Sequence, residues 1–364
     1  MKHFGIITHY DVHNHGALLQ LTALIRVLKN FNIRAQALRF DKNYDFMGPS
    51  IKAKYDISIK SLGIYLSYFK EKGLRCMLYN YNKYRTLNEY KLKEDLIGNY
   101  YTNYSNLDAV IIGSDEVFAL HTGPTPVFFG YCLPTEKVLS YAGSFGPTTI
   151  TDLDTLHTKA FVRSGLESMD AITVRDQNSA TIVKSLIGIN PPIVVDPVLL
   201  YGFKQEIALM NTPLKENYLL IYAYDNRMND FNEVEAIQKY AKSNNLKTVS
   251  AGFYHSWCDI NINTDPINLL SYFKYATAVI TDTFHGCVMS LITNASFIVK
   301  IRESNYLKLK NLLREYDLEY RLFEKWEHIE KTIASTIDYS VVNEEINERR
   351  RRSMCELTNM LRKL

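Results

Sequence analysis

Short apolar runs alternate with stretches of helical spacing along most of the chain. The run at 4–9 reads as a strand, and 16–31 follows with Leu18, Leu21, Leu24, Ile25 and Leu28 recurring on one helix face. Further strands are predicted at 33–40, 108–112, 137–142 and 171–174, with helices over 153–167 and 176–186. After Pro191-Pro192 a second set begins, with strands at 218–223, 247–251, 276–280 and 297–301, the last of the series, and helices at 231–244, 266–275 and 286–293. Alternation of this kind builds parallel sheets covered by helices, so the predicted class is α/β. Proline pairs punctuate connections, which places the division between an N-terminal domain, 1–195, and a C-terminal domain, 196–335. A charged helical tail occupies 336–364. One region breaks the alternation: 44–104 is rich in Tyr, Lys, Leu and Asn and reads as helices and loops inserted into the first domain. Its aromatic residues could stack on sugars, although Tyr, Lys, Asn and Ile are abundant throughout the chain.

Composition narrows the classes. At 364 residues there is room for two ordinary domains, and 46% hydrophobic with 22% charged residues is an ordinary globular balance. A net charge of +3 does not point to a nucleic-acid partner. The five cysteines are scattered, odd in number and without a C-x-x-C pair, which fits a reducing compartment. The N-terminus has no signal-peptide core, and no apolar run approaches the roughly 20 residues that span a bilayer. A cytoplasmic protein is expected, without a metal or a cofactor.

The candidate chemistry sits at strand ends, where open α/β sheets bind their ligands. Thr281-Asp282-Thr283-Phe284-His285-Gly286 follows the apolar run 276–280 and opens a helix. A helix start favours an anion, and a histidine there can bind or protonate one near neutral pH. Read singly, His285 is as easily structural, and Asp282 or Thr283 a helix cap. Asn14-His15-Gly16 opens the first helix, where Asn14 either caps the helix or faces the cleft. Asp11, His13 and His15 alternate but lack a distant fourth ligand, so no metal is assigned. Gly113-Ser114-Asp115-Glu116 places a carboxylate, Asp115, at a strand end, able to serve as a base or a cap. Arg175 can grip a carboxylate or phosphate bidentately, or pair with Asp176 or Asp196. There is no G-x-G-x-x-G after the first strand and no G-x-x-x-x-G-K-[ST], so a dinucleotide or nucleotide phosphate cradle is missing.

In order and spacing these motifs resemble the polysaccharide pyruvyl transferase family, from Gly5 to about Arg302. The marks are Asn14-His15-Gly16-Ala17-Leu18-Leu19-Gln20, Val110 to Phe118, Ser140 to Gly146, Thr173-Val174-Arg175-Asp176, Val195 to Leu200, and the His285-Gly286 hexapeptide. The resemblance implies two Rossmann-like domains facing across a cleft, as in GT-B enzymes. It implies transfer of a pyruvyl group from phosphoenolpyruvate to a sugar of a surface polysaccharide or its precursor, forming a cyclic ketal. Arg175 and His285 then handle the anionic donor, with Asp282, Thr283 and Gly286 on the donor side. His285 and Asp115 are the catalytic candidates, and Asn14, Gly16 and Gln20 lie on the acceptor side. Some members carry Arg-Leu-His where this chain has Thr283-Phe284-His285. The alternatives are a GT-B glycosyltransferase with a nucleotide-sugar donor, or a glycan-binding assembly protein. A lipid-linked acceptor would bring the protein to the inner face of the membrane. There Arg349-Arg350-Arg351-Arg352 would meet anionic lipid, unless these arginines pair with Glu344, Glu345 and Glu348.

Overall fold

The computed structural model describes residues 1–41, 60–122, 124–302 and 305–364. The first half contains β1 (Lys2–Ile7), α1 (His15–Asn30), β2 (Ile33–Arg39), α2 (Lys60–Lys93), β3 (Ile97–Tyr100), β4 (Ala109–Ile112), β5 (Val138–Gly143), α3 (Ile150–Thr155), α4 (Lys159–Glu167), β6 (Ala171–Val174) and α5 (Gln177–Ile187). Short helices α6 (Pro197–Tyr201) and α7 (Lys204–Ala208) follow. The second half contains β7 (Tyr218–Tyr222), α8 (Phe231–Ser243), β8 (Lys247–Ala251), β9 (Ile260–Ile262), α9 (Pro266–Lys274), β10 (Ala278–Thr281), α10 (Phe284–Thr293), β11 (Phe297–Lys300), α11 (Tyr306–Arg314), β12 (Leu322–Phe323), α12 (Ile329–Ala334) and α13 (Tyr339–Arg362).

Each half holds a six-stranded parallel sheet, ordered β3-β2-β1-β4-β5-β6 and β12-β11-β10-β7-β8-β9. Numbered within its own half, each order is the doubly wound Rossmann order, so the fold is two Rossmann-like domains. The central strands read as unbroken apolar runs because helices cover both their faces. Ala-Val-Ile-Ile of β4 and Tyr-Leu-Leu-Ile-Tyr of β7 are buried at every position. The order reverses between β1 and β4 in one sheet and between β7 and β10 in the other. These are the positions where open α/β sheets form a crevice.

The strands that the sequence misses are edge strands. Within the segment expected to be helices and loops, 44–59 lies outside the described residues and 60–93 is helical, but Ile97–Tyr100 is a strand. Its two β formers, Ile97 and Tyr100, are separated by Gly98 and Asn99, and none of its residues is fully buried. The strand at 297–301 is not the last, since β12 pairs outside it through two residues. The helix expected at 153–167 is two helices, because His157 turns left-handed (φ 55°) and Thr158 begins again.

One apolar core runs through both domains. Leu18, Leu21 and Leu24 of α1 belong to the same cluster as Leu269 and Leu270 of α9 and Val288 of α10. The tail helix α13 returns to pack on α6, and Ser353 Oγ accepts from Val195 N at 3.0 Å. The arginine run pairs locally: Arg349 with Glu345 and Glu315, Arg351 and Arg352 with Glu348, while Arg350 donates to the Leu199 carbonyl. Among the described residues no helix is long and apolar enough to cross a membrane.

Candidate active site

The two switch points face each other, and two helix N-termini meet between them. Asn14, in extended conformation, caps α1 by accepting from the Gly16 and Ala17 amides at 2.8 and 3.4 Å. Thr283 caps α10, its Oγ1 accepting from the Gly286 amide at 3.0 Å. The glycine of each motif is explained by a close approach. A Cβ at Gly16 would stand 2.3 Å from His285 Cγ, so the imidazole of one domain lies on the first turn of the other. A Cβ at Gly286 would stand 2.1 Å from Thr281 Oγ1, which donates to the Tyr222 carbonyl at 2.7 Å. Gly16→Ala must push the His285 ring aside. It is expected to destabilise by about 1–3 kcal/mol, the usual cost of overpacking, and to lower turnover along with stability. Unchanged melting and unchanged rates would show that the ring yields freely.

Beside the ring lies a buried charge cluster. Arg175, at the end of β6, places NH2 3.2 Å from Asp115 Oδ1 and NH1 3.2 Å from Asp196 Oδ2. Its side chain is only 3% exposed. Asp196 also caps α6, accepting from the Val198 amide at 2.9 Å. His285 Nε2 is 3.7 Å from Asp196 Oδ2, beyond hydrogen-bond reach, and has no hydrogen-bond partner among the described residues. Phe284 meets the Arg175 guanidinium at 4.3 Å and the Lys308 ammonium at 4.9 Å. Lys308, on α11, reaches across the cleft to Glu116.

The charges settle each other. Burial pushes the Asp115 carboxyl up, but the charges of Arg175, His285, Lys308 and His9 overcome it and hold the group well below the ordinary carboxylate range. Asp196 is likewise depressed, against its burial, by His285 first and then Arg175 and the Val198 amide. Glu116 is lowered against its burial chiefly by Lys308. The site therefore holds ionised carboxylates, a fixed guanidinium and one imidazole nitrogen without a partner. Such a set can fix an anion, move one proton and stabilise charge that develops in a cleft shielded from water.

The family model described as polysaccharide pyruvyl transferase matches residues 14–304. The chain belongs to this family. No curated protein sequence matches it at a significant level. Among solved structures it is similar to the UDP-N-acetylglucosamine 2-epimerase of Rickettsia bellii, at 12% identity and a TM-score of 0.55, covering 100% of this chain and 96% of the epimerase. It is also similar to the UDP-GlcNAc 2-epimerase of Neisseria meningitidis bound to UDP-GlcNAc, at 11% identity and a TM-score of 0.51, covering all of both chains. At such identities the likeness concerns the fold, a GT-B arrangement of two Rossmann-like domains.

Within this member of the family, the residues singled out from sequence fall into two groups. His285, Arg175, Asp115, Thr283, Gly286, Asn14 and Gly16 converge around the meeting helix ends. Arg175 makes the ion pair with Asp196 that was its alternative reading, and adds Asp115. Asp282 and Gln20 lie beneath the surface. Asp282 is fully buried, taking Arg302 Nε at 2.9 Å and Arg227 NH1 at 3.4 Å on one oxygen. Gln20, also fully buried, donates to Thr8 Oγ1 at 3.1 Å and accepts from Ser114 Oγ at 3.0 Å, tying together the ends of β1 and β4. In this conformation Gln20 presents no surface to an acceptor.

Four residues of the site were not singled out. Asp196 entered only as a partner for Arg175, yet it joins Arg175 to His285. Glu116 stood in the quoted motif behind Asp115. Lys308 lies in a helix whose Leu-Lys-Leu-Lys pattern reads as a solvated face. Tyr224 follows β7, and its hydroxyl accepts from Asn14 Nδ2 at 3.3 Å. Burial, together with Asp115 and Glu116, pushes it up to about 12. The strand-end rule applied to β7 would have found it.

Proposed function

We propose that the chain transfers the pyruvyl group of phosphoenolpyruvate to two hydroxyls of a sugar in a surface polysaccharide or its precursor, forming a cyclic ketal and releasing phosphate. The family membership supports the reaction class. The observation that carries the residue roles is the unpartnered Nε2 of His285, set between Arg175, Asp196 and the start of α10. In this reading His285 delivers a proton to the methylene carbon of the donor, and Asp196 stabilises the imidazolium that precedes the transfer. Carbon 2 gains oxocarbenium character and a sugar hydroxyl adds to it, releasing its proton. Loss of phosphate lets the second hydroxyl close the ring. Asp115, held too acidic to be an effective base, orients the attacking hydroxyl by accepting its hydrogen bond. Lys308 and the α10 N-terminus hold the leaving phosphate, in place of the arginine that some members carry at the position of Thr283. The reaction so proposed runs in the cytoplasm, at the membrane if the acceptor is lipid-linked.

A thermal-shift comparison tests the donor. Phosphoenolpyruvate at about a hundred times its dissociation constant is expected to add roughly 2.7 kcal/mol to stability. A candidate oligosaccharide should then gain the mass of one pyruvyl ketal. Stabilisation by a nucleotide sugar, with none from phosphoenolpyruvate, would replace this reading with glycosyl transfer.

A further inference from the structure

Lys83 of α2 is a buried charged residue that nothing above uses. It is 7% exposed, and its ammonium stands 4.3 Å over the centre of the Phe253 ring. Among the described residues it makes no hydrogen bond and no ion pair. Phe253 packs edge-on against Tyr224 at 5.1 Å, and Tyr224 bonds Asn14 at the start of α1. The lysine thus stands two rings away from the helix end on which His285 rests. His13 is close enough to feel the Lys83 charge, and its ring lies 4.8 Å from that of Tyr84. Burial, then the charges of Lys91 and Lys83, lower its pKa. Lys91, about two helical turns beyond Lys83, also makes no hydrogen bond or ion pair among the described residues.

A buried ammonium with no hydrogen-bonded anion among the described residues is costly, and folds retain such costs where a ligand completes the site. We propose that Lys83, with His13, Lys91 and the partly exposed ring of Tyr224, forms an acceptor subsite for a sugar that carries an anionic group, phosphate or carboxylate. The Tyr224 ring, backed by the buried Phe253, takes the apolar side of the sugar, and the cations take the charge. The inference rests on the acceptor being a sugar, as read above, and not on the identity of the donor.

Burial pushes Lys83 down to about 8, against the attraction of Asp225. The other titratable groups that feel it are His13 and the buried His15, itself lowered to about 3 by burial and by Lys83, while Asp11 attracts both His13 and Lys91. Anion affinity should therefore hold below about pH 8 and fall above it as the ammonium is lost.

Calorimetric titration without phosphoenolpyruvate tests the subsite with N-acetylglucosamine 1-phosphate, glucuronic acid and neutral N-acetylglucosamine. At least one anionic sugar is expected to bind about tenfold or more tighter than the neutral one, and the better of the two identifies the group. Lys83→Met should erase that preference while melting no lower than wild type, since an uncompensated buried charge is gone. Lys83→Arg should keep the preference and lose its decline above pH 8. Lys91→Met, at a half-buried position, should weaken it severalfold, and serves if Lys83→Met fails to fold. Equal affinity for charged and neutral sugars, or no binding of any, overturns the proposal. So does a Lys83→Met protein that melts lower with its anion preference intact. If the donor reading alone is wrong, phosphoenolpyruvate gives no stabilisation while the anion preference remains.

Discussion

His285→Ala is expected to lower turnover by about a hundred- to ten-thousand-fold, the range a positioned proton donor supplies, while the protein stays folded. The geometry separates the two effects. His285 Nε2 has no hydrogen-bond partner to lose, so the substitution orphans no buried polar group. The ring packs on the Gly16 backbone, and its loss leaves a small gap at a cleft wall rather than inside either sheet. A stability change of about 1–2 kcal/mol is the expected scale. Phosphate release from phosphoenolpyruvate in the presence of acceptor gives the first readout, and the denaturant midpoint gives the second. Near-normal phosphate release from a folded His285→Ala protein would remove His285 from the chemistry. A large loss of stability would instead make it a structural residue, the role a lone histidine often has.

How much of this was legible in the sequence follows from what holds each part together. The central strands announce themselves because they are buried on both faces, as in Val110-Ile111-Ile112. Edge strands such as Ile97–Tyr100 and Leu322–Phe323 are partly solvated and carry no such run. The strand ends with polar residues are legible for the same reason, since each follows an obvious apolar run. What one chain position cannot state is its partner in the other domain. Gly16 reads as a turn or a ligand contact, and only the folded chain shows that it accommodates His285, 269 positions away along the sequence. Lys308 reads as a surface charge until α11 places it against Glu116. Gln20 sits at the head of the first helix, on the face expected to meet a ligand. The β1–β4 pairing turns that face toward Ser114 and closes it.

Arg175→Met should be the most destabilising of the substitutions considered, and its effect should depend on pH in a particular direction. In the wild type the guanidinium neutralises two carboxylates at once, the fully buried Asp196 and the partly buried Asp115. Both Asp115 and Asp196 then titrate below their unfolded range of about 3.9, so they contribute stability above that pH and lose it as the pH falls through their depressed folded values. Methionine keeps most of the volume and removes the charge. Breaking a buried pair by deleting one partner costs about 3–5 kcal/mol, because a carboxylate stays behind without compensation. Asp115 suffers most, since Arg175 is the largest of the charges holding it down. Asp196 keeps His285 and the Val198 amide. With Arg175 gone, only His285, Lys308 and His9 oppose burial at Asp115, and its folded value rises from the wild-type position. The stability so lost is full at neutral pH and disappears once the carboxyl is protonated in both folded proteins. The deficit of Arg175→Met relative to wild type should therefore be full at pH 7 and shrink toward about pH 4. Arg175→Lys should recover only part of it, because an ammonium is a point charge and does not span two carboxylates as the planar guanidinium does. Denaturant unfolding of the three proteins across that pH range decides the matter. A deficit that stays constant with pH would mean that Arg175 acts through packing against Phe284 rather than through Asp115 and Asp196.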